Sequence, residues 1–324
     1  EKPAITLHGT EIGLDEAYSA WEEPLSEIFP TRTASLPGEP REIAYTVRNT
    51  HRPKIKKARP LVFIPVFPGT NCEYDLARAF QRAGGDVDML IIKNLTPADV
   101  DGSIREMARR IEKAQIIAIP GGSSAGDEPD GSGKFIAVMF RNPLISEAVM
   151  KLLKERDGLI LGICNGFQAL IKLGLVPYGE IIERTPDSPT LSFNRIGRHV
   201  SRQVRTKVVS TLSPWFSNVE VGAVHTLAVS HGEGRFVASE ALIKKLIRNG
   251  QICTQYVDFD GKPSNDIHFN PNGSDEAIEG ITSPDGRVLG KMAHSERYER
   301  NLFKNIEADL DQPLFENAVR YFRG

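Results

Sequence analysis

From residue 61 onward, the chain alternates short apolar runs with longer stretches in which apolar residues recur every three or four positions. Short apolar runs are typical of strands buried on both faces, and apolar residues that recur every three or four positions are typical of amphipathic helices. Helices are predicted from about 73 to 84, from 98 to 114 and from 134 to 156. The predicted strands are LVFIPVF, DVDMLII, QIIAIP and GLILGI, the last running into the helical pattern NGFQALIKLG. This alternation predicts an α/β fold whose mostly parallel sheet carries helices on both faces.

After about residue 176 the helical period fades, and strand-like patterns replace it. A last helix is predicted from about 312 to 322. The predicted strands and turns lie in RHVSRQVRTKVVST, GAVHTLAVSHGEGRF, QICTQYVDFDG and GRVLGKMAH. We therefore expect a β-rich second half that continues the same domain, which would span residues 59–324.

Residues 1–58 differ from the rest, because they are rich in Pro, Thr, Arg and Glu and contain the basic segment HRPKIKKARP. This composition predicts a linker region. One amphipathic helix is expected in it, with Pro24 as the point where it would kink or break. Its apolar face would carry Leu14, Tyr18, Trp21, Leu25 and Phe29. Such a face is expected to be buried, either on the following domain or on a neighbour.

Charge and cysteine content narrow the possible functions. The 324 residues include 40 basic and 42 acidic side chains, and the net charge of −2 argues against nucleic acid as a partner. The sequence has no apolar run of membrane-spanning length and no signal peptide. Its three cysteines, Cys72, Cys164 and Cys253, lie far apart and form no zinc or redox spacing. We therefore expect a cytoplasmic protein without a metal site.

The stretch GLILGICNGFQAL places Cys164 where a predicted strand meets a predicted helix. Gly162 and Gly166 flank it at two residues on either side, which is the pattern of a nucleophile elbow. A thiol at a helix amino end is stabilised as thiolate by the helix dipole and the free N–H groups. The alternative is a buried cysteine that packs as a small apolar residue.

A cysteine nucleophile needs a base, an orienting group and donors for an oxyanion. His294 ends a predicted strand, and Glu296 follows two residues later, so that its carboxylate can orient the imidazole. Gly121 and Gly122 end another predicted strand and expose backbone N–H groups, and the N–H of Asn165 is a second candidate donor. Taken alone, the histidine pattern also fits a solvated turn, and the glycines also fit a plain loop.

Several separated motifs resemble the glutaminase domain of phosphoribosylformylglycinamidine synthase, a purine-biosynthesis enzyme of the class I glutamine amidotransferases. The resemblance runs from about residue 60 to 305. It implies a flavodoxin-like fold. The motifs are PGTNCEYD, PGGSSAGDEPDGSGKF, GICNGFQALIKLGLVP, HGEGRF, QYVDFDG and NPNGSDEAIEGITSPDGRVLGKMAHSER.

The resemblance also implies a reaction of the ligase class. L-Glutamine would be hydrolysed to glutamate and ammonia through a cysteine thioester, and the ammonia would reach a synthetase that makes formylglycinamidine ribonucleotide. ATP and Mg²⁺ would bind only to that synthetase, and this chain would need no cofactor. The implied triad is Cys164, His294 and Glu296, and the implied oxyanion and substrate residues are Gly121, Gly122, Asn165, Gln168, His231 and Glu233.

The chain departs from the family pattern at two positions. Ser295 stands where the family commonly has Pro between His and Glu, and Ser123 stands where an aromatic residue commonly follows Gly-Gly. Neither change removes a reacting group. Cys72 lies in a family motif but lacks an elbow, so we expect a structural role for it, and Cys253 is expected in the core.

Two other interpretations stay open at this level. A cysteine peptidase or a different amidotransferase would keep the cysteine and the histidine but would need another pocket. A docking module that is inactive alone is a non-enzymatic alternative. The first residue, Glu1, together with the N-terminal region, fits the C-terminal part of the large single-chain synthase better than a free-standing glutaminase subunit.

Overall fold

The computed structural model describes residues 3–126 and 132–324, so part of PGGSSAGDEPDGSGKF lies outside the described residues. The strands are β1 (Ala4–Leu7), β2 (Thr10–Gly13), β3 (Leu61–Val66), β4 (Asp86–Ile91), β5 (Ile116–Ile119), β6 (Leu159–Ile163), β7 (Thr190–Phe193), β8 (Val200–Val208), β9 (Val224–His231), β10 (Glu233–Val237), β11 (Ile252–Tyr256), β12 (Ile278–Thr282) and β13 (Val288–Lys291). The helices are α1 (Leu14–Glu22), α2 (Glu73–Ala83), α3 (Pro97–Ile111), α4 (Lys134–Phe140), α5 (Pro143–Lys154), α6 (Asn165–Leu173), α7 (Leu175–Tyr178), α8 (Glu240–Arg248) and α9 (Leu314–Arg323).

Nine strands form the central sheet, in the order β4-β3-β5-β6-β13-β12-β11-β8-β9. The strands from β4 to β13 are parallel, and Gly162 of β6 is opposite Ile119 of β5 and Gly290 of β13. From β13 to β9 the pairs are antiparallel, so the second half of the chain extends the same sheet. The predicted α/β class, with a parallel first half and a β-rich second half, is confirmed.

Helices cover both faces of the parallel strands. The connection through α2 leads outward from β3 to β4, and the connection through α3 leads back past β3 to β5, so right-handed crossovers place these helices on opposite faces. On one face α3 contacts α5 and α4 contacts α6, and on the other α2 packs with α9. Within the described part of the chain, no helix has the length and apolar character needed to cross a membrane.

The N-terminal segment differs from its prediction in two ways. The strands β1 and β2, which the sequence pattern did not predict, form a hairpin before α1. The helix ends at Glu22, just before Pro24, and all of its side chains stay at least partly exposed, Trp21 at 77%. The expectation that this apolar face is buried on the following domain is therefore wrong. Further along, Tyr45 pairs with Ser210, which follows β8.

Several elements after residue 60 differ from the prediction, and β7 and α7 are among those that the sequence pattern did not predict. The expected helix 134–156 is two helices, because Asn142 caps α5 and Pro143 takes its first position. The helix α8 was missed although Ser239 caps it. The strand β12 was also missed, and it is buried along its whole length despite carrying Glu279.

Candidate active site

Cys164 is the single residue between β6 and α6, and its backbone has φ 53° and ψ −107°. A positive φ is costly for a residue with a side chain and persists only where the surroundings enforce it. A Cβ atom on Gly162 would lie 2.7 Å from the backbone of Gly166, and one on Gly166 would lie 2.2 Å from the carbonyl oxygen of Ile119. The two glycines therefore allow the close packing that holds this sharp turn.

His294 and Glu296 lie at the end of β13 in a buried turn. The N–H of His294 donates to the carbonyl of Ala228 in β9 at 2.8 Å, which fixes the turn against the sheet. Its Nδ1 lies 2.6 Å from Glu296 Oε1. Burial lowers the pKa of His294, but the Glu296 charge and the thiols of Cys164 and Cys72 raise it well above its usual value. Burial opposes ionisation of Glu296, yet His294 keeps the pKa of that carboxyl below its usual value.

A buried polar network supports this turn. The ammonium of Lys291 donates to the carbonyl of Ala293 at 2.7 Å and to Ser295 Oγ at 2.9 Å, so it contacts the residues on both sides of His294. Ser295 Oγ in turn donates to Gln312 Oε1 at 2.8 Å. Glu279 lies 3.4 Å from Lys291 Nζ, and both side chains are fully buried. Hydrogen bonds thus hold the turn at the position where the family commonly has proline.

The loop after β5 lies next to the loop after β3. The N–H of Asn71 donates to the carbonyl of Gly121 at 3.2 Å, and the N–H of Ser123 donates to the carbonyl of Gly69 at 2.9 Å. Because a trans peptide points its carbonyl and its N–H in opposite directions, the N–H of Gly122 points away from Asn71. This N–H has no protein partner among the described residues. The other predicted donor, Asn165, is the first residue of α6, directly after Cys164.

The predicted substrate residues are near one another, but their side chains bond within the protein. Gln168 Nε2 donates to the carbonyl of Glu233 at 2.6 Å, and the Glu233 carboxylate accepts from the N–H of Ser132 at 3.0 Å. His231 Nδ1 lies 3.0 Å from Asn194 Oδ1, and burial, with neighbouring histidines, lowers the pKa of His231 to about 3. His231 is therefore a neutral ring.

Cys72 lies next to His294, which the sequence pattern did not predict. Its sulfur, a ring nitrogen of His294 and a carboxylate oxygen of Glu296 are all within 4.8 Å of one another. Arg297 donates to the Cys72 sulfur at 3.2 Å. Burial lowers the pKa of Arg297, but its bond to Cys72 raises it overall. One signal was available in the sequence, because Cys72 and Cys164 both follow strands of one parallel sheet and so lie at the same edge. The third cysteine, Cys253, is buried in β11 as predicted.

Comparisons with known proteins agree with this geometry. Residues 59–322 match the family described as the CobB/CobQ-like glutamine amidotransferase domain. A Methanococcus maripaludis protein named phosphoribosylformylglycinamidine synthase subunit PurQ is 33% identical over 82% of this chain and 98% of its own length. A PurQ subunit from Dehalococcoides mccartyi is 34% identical over 79% of this chain and 95% of its own length.

A solved structure is also similar. A chain of PurLQS from Thermotoga maritima superposes with a TM-score of 0.58 at 25% identity, covering 81% of this chain and 99% of that one. The resemblance to the glutaminase of phosphoribosylformylglycinamidine synthase is thereby confirmed. The chain belongs to the CobB/CobQ-like glutamine amidotransferase domain family.

Proposed function

We propose that this chain hydrolyses L-glutamine to glutamate and ammonia, and that the ammonia serves the synthesis of formylglycinamidine ribonucleotide in purine biosynthesis. The overall reaction is the one after which the relatives are named, that of phosphoribosylformylglycinamidine synthase. One observation carries the assignment of the site. It is the placement of His294 between the elbow residue Cys164 and Glu296, with Nδ1 bonded to the carboxylate at 2.6 Å.

In the first half of the proposed reaction, Cys164 is the nucleophile. The raised pKa of His294 favours an imidazolium next to a thiolate, which is the reactive form of such a pair. The thiolate attacks the side-chain amide carbon of glutamine. His294 then donates a proton to the departing nitrogen, so that ammonia leaves and a glutamyl thioester remains.

Backbone donors stabilise the oxyanion in both halves of the reaction. We assign this role to the N–H groups of Gly122 and Asn165, because such donors are most effective when they are held rigidly in a dry site. His294, now neutral, accepts a proton from water in the second half. The water attacks the thioester and releases glutamate, while Glu296 keeps the ring oriented throughout. Gln168, His231 and Glu233 are proposed to line the glutamine pocket.

The proposed partner is the ATP-dependent synthetase that uses the ammonia. The similarity to a chain of PurLQS and the subunit names of the relatives support an assembly of this kind. ATP and Mg²⁺ belong to the synthetase in this proposal, and the chain works in the cytoplasm.

Covalent labelling tests the nucleophile and the substrate together. The chain is treated with a chloroketone analogue of glutamine, with and without competing glutamine, and the modified peptide is mapped by mass spectrometry. We expect a single modification at Cys164 that glutamine suppresses. Labelling that glutamine does not suppress, or labelling at Cys72 alone, would contradict the proposal. The synthetase is added in a parallel sample, so that a pocket completed by the partner is also detected.

A further inference from the structure

We propose that Cys72, Cys164 and His294 form a binding site for Zn²⁺, and that zinc bound there blocks the thiol of Cys164. This inference goes beyond glutamine hydrolysis, because it assigns a ligand and a form of inhibition that the proposed reaction does not require. It also differs from the expectation drawn from cysteine spacing, which considered only ligands close together in sequence.

The three side chains converge on one point next to Gly121. A Cβ atom on that glycine would lie 2.8 Å from His294 Cε1, 3.2 Å from the Cys72 sulfur and 3.4 Å from Cys164 Cβ. The space left by the missing side chain is therefore bordered by two cysteines and one histidine. Cys72, His294 and Glu296 are the one group of potential metal ligands found within residues 3–126 and 132–324.

The Nε2 atom of His294 can bind a metal once it has lost its proton. Its Nδ1 faces Glu296, whereas Nε2 is buried and forms no well-aligned hydrogen bond within the described chain, and the side chain is only about 1% exposed. A carboxylate bonded to the other ring nitrogen is the usual outer partner of a zinc-bound histidine, because it fixes the ring and makes the ligating nitrogen more basic. The triad geometry thus also suits zinc coordination through Nε2.

The ligand set suits zinc chemically. Two thiolates and one imidazole form a neutral complex with Zn²⁺, which prefers sulfur and nitrogen ligands in a tetrahedral arrangement and leaves a fourth position for water. Binding displaces the proton of Nε2 and any proton on the two thiols. Arg297, which donates to the Cys72 sulfur at 3.2 Å, acts as an outer hydrogen-bond donor to that thiolate.

Zinc binding requires a rearrangement of side chains. Ligand atoms of a tetrahedral zinc site lie about 3.5 Å apart. Cys72 Sγ and a ring nitrogen of His294 are already within 4.8 Å of each other. The Cys164 sulfur contacts the carbonyl oxygen of Ser230 at 3.7 Å, so zinc binding requires this side chain to turn toward Nε2. Once zinc holds the Cys164 sulfur, that sulfur can no longer attack glutamine.

Metal binding is tested directly, under a phosphine reductant that prevents disulfide formation. Zn²⁺ is titrated against a chromophoric chelator, and Co²⁺ is used as a spectroscopic substitute. We expect about one metal per chain and a thiolate-to-cobalt charge-transfer band. Cys72→Ala and His294→Ala should each weaken zinc binding by roughly 100-fold or more. The matched control is Cys253→Ala, which removes a buried cysteine from another part of the sheet and should leave the affinity unchanged.

A second measurement needs no mutation and so does not depend on the variants' folding. Equimolar Zn²⁺ should slow alkylation of Cys164 by iodoacetamide at least tenfold, and EDTA should restore the rate. A cobalt complex without the charge-transfer band, full zinc affinity in Cys72→Ala, or alkylation that zinc does not change would each overturn the proposal. Neither assay contains glutamine. Zinc binding without glutamine-suppressed labelling would therefore contradict the proposed function alone, and the reverse result would contradict the zinc site alone.

Discussion

Cys164 and Cys72 each follow a strand of the parallel sheet and lie beside His294, yet the two connections that carry them differ. Cys164 alone joins β6 to α6 and takes φ 53°, whereas Cys72 ends the connection 67–72 between β3 and α2 and has φ −109°. The single-residue connection depends on two glycines for space, as the contacts around Gly162 and Gly166 show. The longer connection lets Cys72 keep a negative φ.

Cys72 and Cys164 share a position beside His294, but we expect their thiols to differ in reactivity. Both residues directly precede a helix and both thiols lie near His294, but only Cys164 is held by a strained turn, and its helix α6 is almost entirely buried. Cys72 precedes α2 and receives a hydrogen bond from Arg297 instead. We therefore expect that a position beside His294 is not sufficient for a cysteine to act as the proposed nucleophile, because the backbone must also direct the sulfur toward the substrate.

The sharpest test of this comparison exchanges each sulfur for oxygen. Cys164→Ser should lower kcat for glutamine hydrolysis by about 10⁴-fold or more, because serine is a much weaker nucleophile at this position. Cys72→Ser should lower it by less than about tenfold. Glutamate release, measured with the synthetase present, gives both values. Equal losses of kcat in the two variants would mean that both cysteines take part in the reaction.

Removing the histidine should lower the activity more than removing the carboxylate that orients it. His294→Ala should lower kcat about 50-fold more than Glu296→Ala does, because a group that transfers the proton contributes more than one that orients it. Glu296→Gln should also lower the pKa of His294, since the Glu296 charge raises it. The pKa is followed by NMR titration of the imidazole. A larger loss in Glu296→Ala would show that the two roles are misassigned.

Adding one methyl group should break the elbow but not an ordinary helix. Gly166→Ala should reduce the free energy of unfolding by about 3 kcal/mol, because its Cβ would lie 2.2 Å from a backbone oxygen. Gly102→Ala in α3 is the matched control, with no heavy atom within 4 Å of the added carbon, and should stabilise the chain by about 0.5–1 kcal/mol. Urea unfolding measures both variants. Equal stability would argue against a tightly packed elbow.

The smallest expected effect concerns the turn that carries His294 and Glu296. Ser295→Ala removes one acceptor from Lys291 and one donor to Gln312, and should cost about 1–2 kcal/mol of unfolding free energy. Ser26→Ala changes an exposed serine and should alter it by less than about 0.5 kcal/mol. Thermal and urea unfolding compare the two. A neutral Ser295→Ala would show that the network does not support the turn.

Local patterns in the sequence predicted the parallel strands, the elbow at Cys164 and the pairing of His294 with Glu296. These features depend on residues that are near one another along the chain. The break before α5 also has a local signal, because Asn142 precedes Pro143. The proximity of Cys72 to His294 had only a weak signal, because it depends on how strands distant in sequence assemble.

Buried charge explains another missed element. A strand with an acidic residue at its second position does not have the pattern of a buried strand, yet Glu279 is buried in β12. Its carboxylate accepts from Thr254 at 2.5 Å and from the N–H of Ala293 at 2.7 Å, and it lies near the Lys291 ammonium. The partners that make this burial tolerable come from other segments, so no local pattern contains them.

The bond between Lys291 and Ser295 has a consequence for how such sequences diverge. Replacing Ser295 with the proline common in the family would remove a partner of a fully buried ammonium, and replacing Lys291 first would leave Glu279 without its cation. Each substitution made alone is expected to give a less stable protein, so the two positions are expected to show epistasis. A double-mutant cycle on these positions would measure that coupling, and related sequences should carry Lys with Ser or an apolar residue with Pro.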